Sequence, residues 1–138
     1  MSIFKKKKKE NQIARLWKIK KRTLDFILES AKSTFPNEFG GFLRVDQYKK
    51  DTINEIVIIP GTISGDSHAI FKFHMLPIDF SIVGTVHSHP SISFYPSDAD
   101  IFLFRKYGKI HMIVAYPFTY NSWKAYDFNG NEIEIKVL

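Results

Sequence analysis

Residues 85–100 read TVHSHPSISFYPSDAD, and the rest of the chain is best read outward from them. The apolar run Ile82 to His87 predicts a buried strand leading into a polar segment, Ser88 to Tyr95. Alternation with period two puts His87 and His89 on the same side of that strand. Two neutral imidazoles held this way form half of a zinc site, and a third ligand must come from a different element. Ser97 opens the next helix, and Asp100 stands one turn into it, so the two side chains share a helix face. Asp100 is therefore the best third ligand. Asp98 is the alternative oxygen donor, but its offset from Ser97 turns it around the helix. Taken alone, Ser97-Asp98-Ala99-Asp100 is also a good helix N-terminus, with an acid at the third helical position. A His-x-His pair alone also arises by accident. His, His, Pro, Ser and Asp at five fixed positions have a chance on the order of 10⁻⁷ per start position, taking about one in twenty per residue.

Working outward, Thr23 predicts a helix N-cap, with Leu24, Ile27, Leu28 and Ala31 on one face and Pro36 at or just beyond the end. Gly40–Val45 and Ile53–Ile59 predict strands joined by the polar turn Asp46–Asp51. Pro60–Asp66 reads as a loop and Ala69–Phe73 as a short strand. Beyond Ser97, the helix has Ile101, Phe102 and Phe104 as core candidates and stops at Gly108. Ile110–Tyr116 predicts another buried strand. Ser122–Phe128 and Ile133–Leu138 predict a hairpin around Asn129-Gly130. Two helices and about six strands in mixed order imply an α/β or α+β sandwich.

The chain has 138 residues, 44% hydrophobic and 15% aromatic, the size and composition of one globular domain with a real core. It has no cysteine, which excludes a disulfide scaffold, a Cys-ligated zinc finger, an iron–sulfur centre and a cysteine hydrolase, and fits a reducing cytoplasm. No apolar run approaches the ~18 residues that cross a bilayer. The net charge of +6 is unevenly divided. Residues 1–22 hold ten Lys/Arg against Glu10 alone, while residues 23–138 hold ten basic and thirteen acidic residues. The expected organisation is a basic, flexible arm over residues 1–19, with Ile13–Ile19 able to dock, and a folded domain over 20–138. Nucleic-acid binding is expected, if at all, only through residues 1–22, because the body lacks a basic face.

HSHPSISFYPSDAD resembles the pattern His-x-His-Pro-x(6)-Ser-x-x-Asp of the JAMM (MPN-plus) metalloproteases. That family also has an upstream glutamate after its first helix, and PNEFGGFL supplies Glu38 ahead of Gly40-Gly41. GTVHSHP, KIHMIVAYP and SWKAYDFNGNEIEI are similar to strands of small archaeal and bacterial members, over roughly residues 20–138. The resemblance implies a curved mixed sheet between helices, in the cytidine-deaminase-like JAMM/MPN architecture, with one catalytic Zn2+ per chain. Carried over, it makes His87, His89 and Asp100 zinc ligands with water in the fourth position. Glu38 becomes the general base and Ser97 the oxyanion donor.

It further implies a cytoplasmic isopeptidase or peptidase acting after the C-terminal glycine of a ubiquitin-like modifier or sulfur-carrier protein. The alternative is a non-catalytic scaffold of the same fold that binds partners, with an RNA-associated role through the arm as an addition. Zinc content separates enzyme from scaffold. Oligomeric state is not read from the sequence. His68, His74 and His111 have no partner at ligand spacing and are expected to be structural or exposed. Trp123 and Tyr126 are expected to pack the closing hairpin. Phe94 and Tyr95, between the ligands, could touch substrate or pack the core.

Overall fold

A computed structural model describes residues 16–58 and 79–138. The expected loop Pro60–Asp66, the strand Ala69–Phe73, His68, His74 and the Lys run of residues 5–9 lie outside the described residues. The elements are β1 (Trp17–Ile19), α1 (Lys21–Thr34), β2 (Gly40–Val45), β3 (Thr52–Ile58), β4 (Ile82–His89), α2 (Asp98–Lys106), β5 (Ile110–Ala115), β6 (Trp123–Tyr126), β7 (Glu132–Ile133) and β8 (Ile135–Val137). They form one mixed sheet in the order β7-β6-β5-β4-β2-β3-β1-β8. Only Glu134 separates β7 from β8, yet these strands stand at the two ends of that order. The sheet must therefore curl toward a barrel, and the expected curved mixed sheet flanked by helices is what forms.

Alternation along the central strands sorts side chains to two faces. Leu43, Val86, Ile110, Met112 and Val114 pack with Leu24, Ile27, Leu28 and Ala31 of α1. Phe42 packs with Leu103, and Ile113 with Phe104 and Tyr126, on the α2 side. His87 lies on this second side too, its ring 6.4 Å from that of Phe104. The predicted pair of imidazoles thus points at the helix that carries Asp100.

Several expectations need correction. The arm drawn over residues 1–19 runs too far. Trp17–Ile19 is a strand that pairs in parallel with both β3 and β8, and Ile19 is fully buried. A chain beginning near Ile19 would cut into the sheet. Thr23 is not an N-cap: α1 begins at Lys21, and Thr23 Oγ1 donates to the Asn54 carbonyl at 2.7 Å, tying helix to sheet. On α2, Leu103 is buried in place of Phe102, which is 61% exposed under Lys106. The closing hairpin pairs β6 with β7, with Gly130 at φ 84° in its loop, but its outgoing arm breaks at Glu134. The remainder, β8, crosses to pair with β1.

One glycine sets the spacing at the centre of the sheet. Gly84 of β4 pairs with Ile110 of β5, and a Cβ there would stand 1.4 Å from the Ile110 carbonyl oxygen. The obstacle is backbone, so no rotamer change relieves it. Gly84→Ala is expected to cost about 4 kcal/mol or more, placing it among exceptional single substitutions, and to lower Tm by on the order of 15 °C. A thermal melt within about 3 °C of the parent would show that the two strands separate more easily than this packing implies.

Candidate metal centre

β4 and α2 together build the site. His87 and His89 are i and i+2 near the end of β4, and Ser97 and Asp100 are N-cap and N3 of α2. The helix starts there because Ser97 and Asp100 cap each other. The Asp100 N–H donates to Ser97 Oγ at 3.1 Å, and the Ser97 N–H donates to Asp100 Oδ2 at 2.9 Å. This is the capping box expected from the sequence, and it does not compete with ligation. It orients the carboxylate, whose Oδ1 lies 3.1 Å from His87 Nε2 and whose Oδ2 lies 3.2 Å from His89 Nε2. The two Nε2 atoms are 3.2 Å apart. Donors at about 2.0–2.1 Å around a tetrahedral ion stand roughly 3.3 Å from one another. The two imidazole nitrogens stand near that spacing, the carboxylate offers each of them a different oxygen, and the three ligand atoms together lie within 4.8 Å of one another, a group that could hold a metal ion.

The cluster is buried on one side and open on the other. His87 and Asp100 are almost wholly buried, whereas the His89 side chain is 17% exposed. His89 Nδ1 lies 2.8 Å from the Ser93 carbonyl, which accepts its proton and leaves the Nε2 lone pair facing the cluster. Burial disfavours a charged His89, but Asp100, the Ser93 carbonyl and the charge of Glu38 outweigh it, and its pKa lies above the ordinary histidine value. Two imidazoles and one carboxylate leave a catalytic metal an open position. Asp98 is exposed and stands outside the group His87, His89 and Asp100, whose donor atoms all lie within 4.8 Å of one another.

Glu38 is brought to the site by strand pairing. β2 and β4 are antiparallel, with Gly40 opposite His87. Continuing that register sets Glu38 opposite His89. The junction is fixed by Phe39, whose N–H donates to Ser88 Oγ at 2.7 Å and whose carbonyl accepts from the Ser88 N–H at 2.9 Å. Glu38 is half-buried and is not a member of the three-residue cluster. Ser97 is exposed beside the cluster, and its hydroxyl, an acceptor in the cap, still carries a hydrogen to donate.

His111 is structural, as expected. It is fully buried, stacks on Phe104 at 4.4 Å, and has Thr85 Oγ1 at 2.7 Å from Nδ1 and the Gly108 carbonyl at 3.0 Å from Nε2. Burial pushes its pKa down to about 4, the carbonyls of Gly108 and Phe104 and the charge of Asp127 notwithstanding. Unfolded, the same ring titrates near 6.5, so the unfolded chain binds the extra proton between these values. Stability from this group is complete above pH 6.5 and falls by about 3 kcal/mol as pH drops toward 4. The His111 ring signal in NMR should stay constant from pH 7 to 5; a midpoint near 6.5 would remove this source of acid sensitivity.

Phe94 is half-buried against Phe104, Ile113 and Tyr126, so it packs, while Tyr95 is 66% exposed and free to meet a ligand. The sequence offered no signal for the Ser93 carbonyl, because a backbone acceptor has no residue signature.

Sheet and site together define a candidate metal centre: a strand-borne imidazole pair facing a helix-borne carboxylate. The model of prokaryotic homologs of the JAB domain matches residues 20–126. A probable metalloprotease of Haloferax volcanii is 36% identical over 122 residues, 83% of this chain and 75% of that protein. A JAB1/MPN domain protein from Archaeoglobus fulgidus has a solved structure 40% identical to this chain, with a TM-score of 0.70, covering 88% of this chain and 98% of the other. A structure described as JAMM, a metalloprotease-like zinc site in the proteasome and signalosome, is 38% identical with a TM-score of 0.70, over 89% and 98% of the two chains. The chain belongs to the JAMM/MPN-domain metalloprotease family.

Proposed function

We propose that the chain is a zinc-dependent isopeptidase or peptidase that cleaves after the C-terminal glycine of a ubiquitin-like modifier or sulfur-carrier protein. The observation that carries this reading is the cluster of His87, His89 and Asp100, in which each imidazole Nε2 lies 3.1–3.2 Å from one carboxylate oxygen and 3.2 Å from the other Nε2, with an exposed side at His89. These three residues would hold the zinc, which when bound supplies a Lewis acid that acidifies a coordinated water and polarises the scissile carbonyl.

The rest is done by the chain's own groups. Glu38 takes a proton from the attacking water and returns it to the leaving amine, acting as base and then acid. The Ser97 hydroxyl donates to the oxygen that gains charge, a contribution of about 10²–10³ in rate by analogy with other oxyanion donors. Ser93 fixes the tautomer and ring plane of His89 through its carbonyl. Ile92 and Tyr95, both largely exposed on the segment between the ligands, offer an apolar wall to an extended substrate tail. Among the described residues no helix is long and apolar enough to cross a membrane.

The test is a Gly-Gly–lysine isopeptide conjugate of the host's own ubiquitin-like proteins, incubated with zinc-loaded protein and with chelator-treated protein. Newly freed Gly-Gly termini by mass spectrometry, abolished by chelation, are expected. A fully zinc-loaded chain that frees none would favour the scaffold reading.

A further inference from the structure

Segment 90–97 carries two parts of the site, the Ser93 carbonyl and Ser97, yet has no regular secondary structure of its own. Its position therefore depends on a few discrete ties. The Tyr116 N–H reaches the Ser91 carbonyl at 3.0 Å, and His89 Nδ1 reaches the Ser93 carbonyl at 2.8 Å. The next carbonyl along the chain, that of Phe94, accepts from the Tyr126 hydroxyl at 2.6 Å. Consecutive carbonyls are thus held from opposite partners: one by a candidate ligand, the other by β6.

Tyr126 is well placed for this. It lies in β6, which pairs with β5, and β5 pairs with β4, so its backbone is tied through the sheet to the strand that carries His87 and His89. Its ring is 2% exposed and stacks at 20° to Phe104, 6.1 Å between centroids. Packing accounts for the ring but not for the hydroxyl; a buried phenol costs free energy unless its O–H finds a partner, and here the partner is a loop carbonyl. Burial, with Glu132, Tyr95 and Asp100 adding to it, raises the phenol to about pKa 12, so it remains a donor at any working pH. Lys124, two residues earlier, lies 5.7 Å from the Phe94 ring centroid and adds a second hold on the same residue.

We propose that Tyr126 is a positioning residue of the metal centre: its hydroxyl, bonded to the Phe94 carbonyl, fixes the peptide beside Ser93 and through it the ring plane of His89. Tyr126 touches neither metal nor substrate. The proposal rests on the cluster of His87, His89 and Asp100 being a zinc site, and the experiment separates the two claims.

Tyr126→Phe removes one oxygen and keeps the ring, so the fold should persist. Zinc affinity is measured by chelator competition on the full chain, alongside Tm of the chelated protein and kcat and KM on an isopeptide substrate. Ile27→Val, in the distant core under α1, serves as a control for general loosening. Groups that orient a ligand typically cost 10–100-fold when lost, and one step further removed the lower end applies. The zinc Kd should rise about 10-fold and kcat should fall, with KM within about twofold and Ile27→Val near the parent in zinc affinity. A zinc Kd for Tyr126→Phe within twofold of the parent, or an equal rise in Ile27→Val, would overturn the positioning role while leaving the metal reading standing. A parent that binds no zinc would overturn both.

Discussion

Asp100→Ala is expected to leave the chain without zinc and without peptidase activity. The carboxylate reaches both Nε2 atoms at 3.1 and 3.2 Å, so its removal takes away a ligand and the counter-charge between two imidazoles. Structural zinc sites in small domains bind with about 10–16 kcal/mol from four ligands, so losing one costs on the order of 3 kcal/mol, or at least ~10²-fold in affinity. Metal content after gel filtration should fall from about one per chain to near zero. The same substitution removes the acid half of the capping box, a further loss of about 1 kcal/mol of stability. A comparison of melts isolates the metal: chelation should lower the Tm of the parent, since only the folded state binds zinc, and leave that of Asp100→Ala unmoved. Full zinc occupancy in the variant would move the third ligand elsewhere, and Asp98, two residues before Asp100 and exposed at the first position of α2, is the carboxylate to test next.

The residues of the candidate site are legible in the sequence to the extent that their chemistry is carried by residue type at short range. His87 and His89 follow from period two, and Ser97 and Asp100 from helical spacing, because both relations span a few residues and hold in any strand or helix. The neighbourhood of Glu38 was of another kind. It depended on β2 lying beside β4 in one register, with Gly40 opposite His87, a relation that no local pattern encodes and that entered by resemblance. Tyr126 could be read only as packing, since its aromatic ring signals a core and its hydroxyl bond to a loop carbonyl leaves no trace in sequence.

The same division explains the errors in the fold. Trp17-Lys18-Ile19 alternates correctly, but three residues followed directly by Lys20, Lys21 and Arg22 carry too little pattern to outweigh the charge around them, and their burial comes from β3 and β8, far away in the chain. The break at Glu134 was hidden because Ile133 and Ile135 alternate without interruption. What divides them is that β7 pairs with β6 whereas β8 pairs with β1. Phe102 is a core candidate by sequence, yet the helix face toward the sheet is set by Asp100, Leu103 and Phe104, which turns Phe102 outward.

Glu38→Gln should separate metal binding from catalysis, and it is the most demanding test of the proposed mechanism. Glu38 lies beside His89 by register and bears on its charge, but it is outside the mutually close group of His87, His89 and Asp100. If its work is proton transfer, the amide should keep the fold and the zinc, with Tm and metal content near those of the parent. An amide can still hydrogen-bond a water but has no lone pair basic enough to take its proton. Losing a general base costs ~10²–10⁴ in rate, and here the same carboxyl also delivers the proton to the leaving amine, so a fall of ~10⁴ or more in kcat is expected. KM should move little, since the loss falls on the transition state and not on the bound tail. Raising pH should rescue the variant at most in part, because hydroxide can stand in for the missing base but not for the carboxyl acid that protonates the leaving amine. Cleavage within tenfold of the parent would assign proton transfer to another group, and loss of zinc along with activity would make Glu38 a ligand in place of a base.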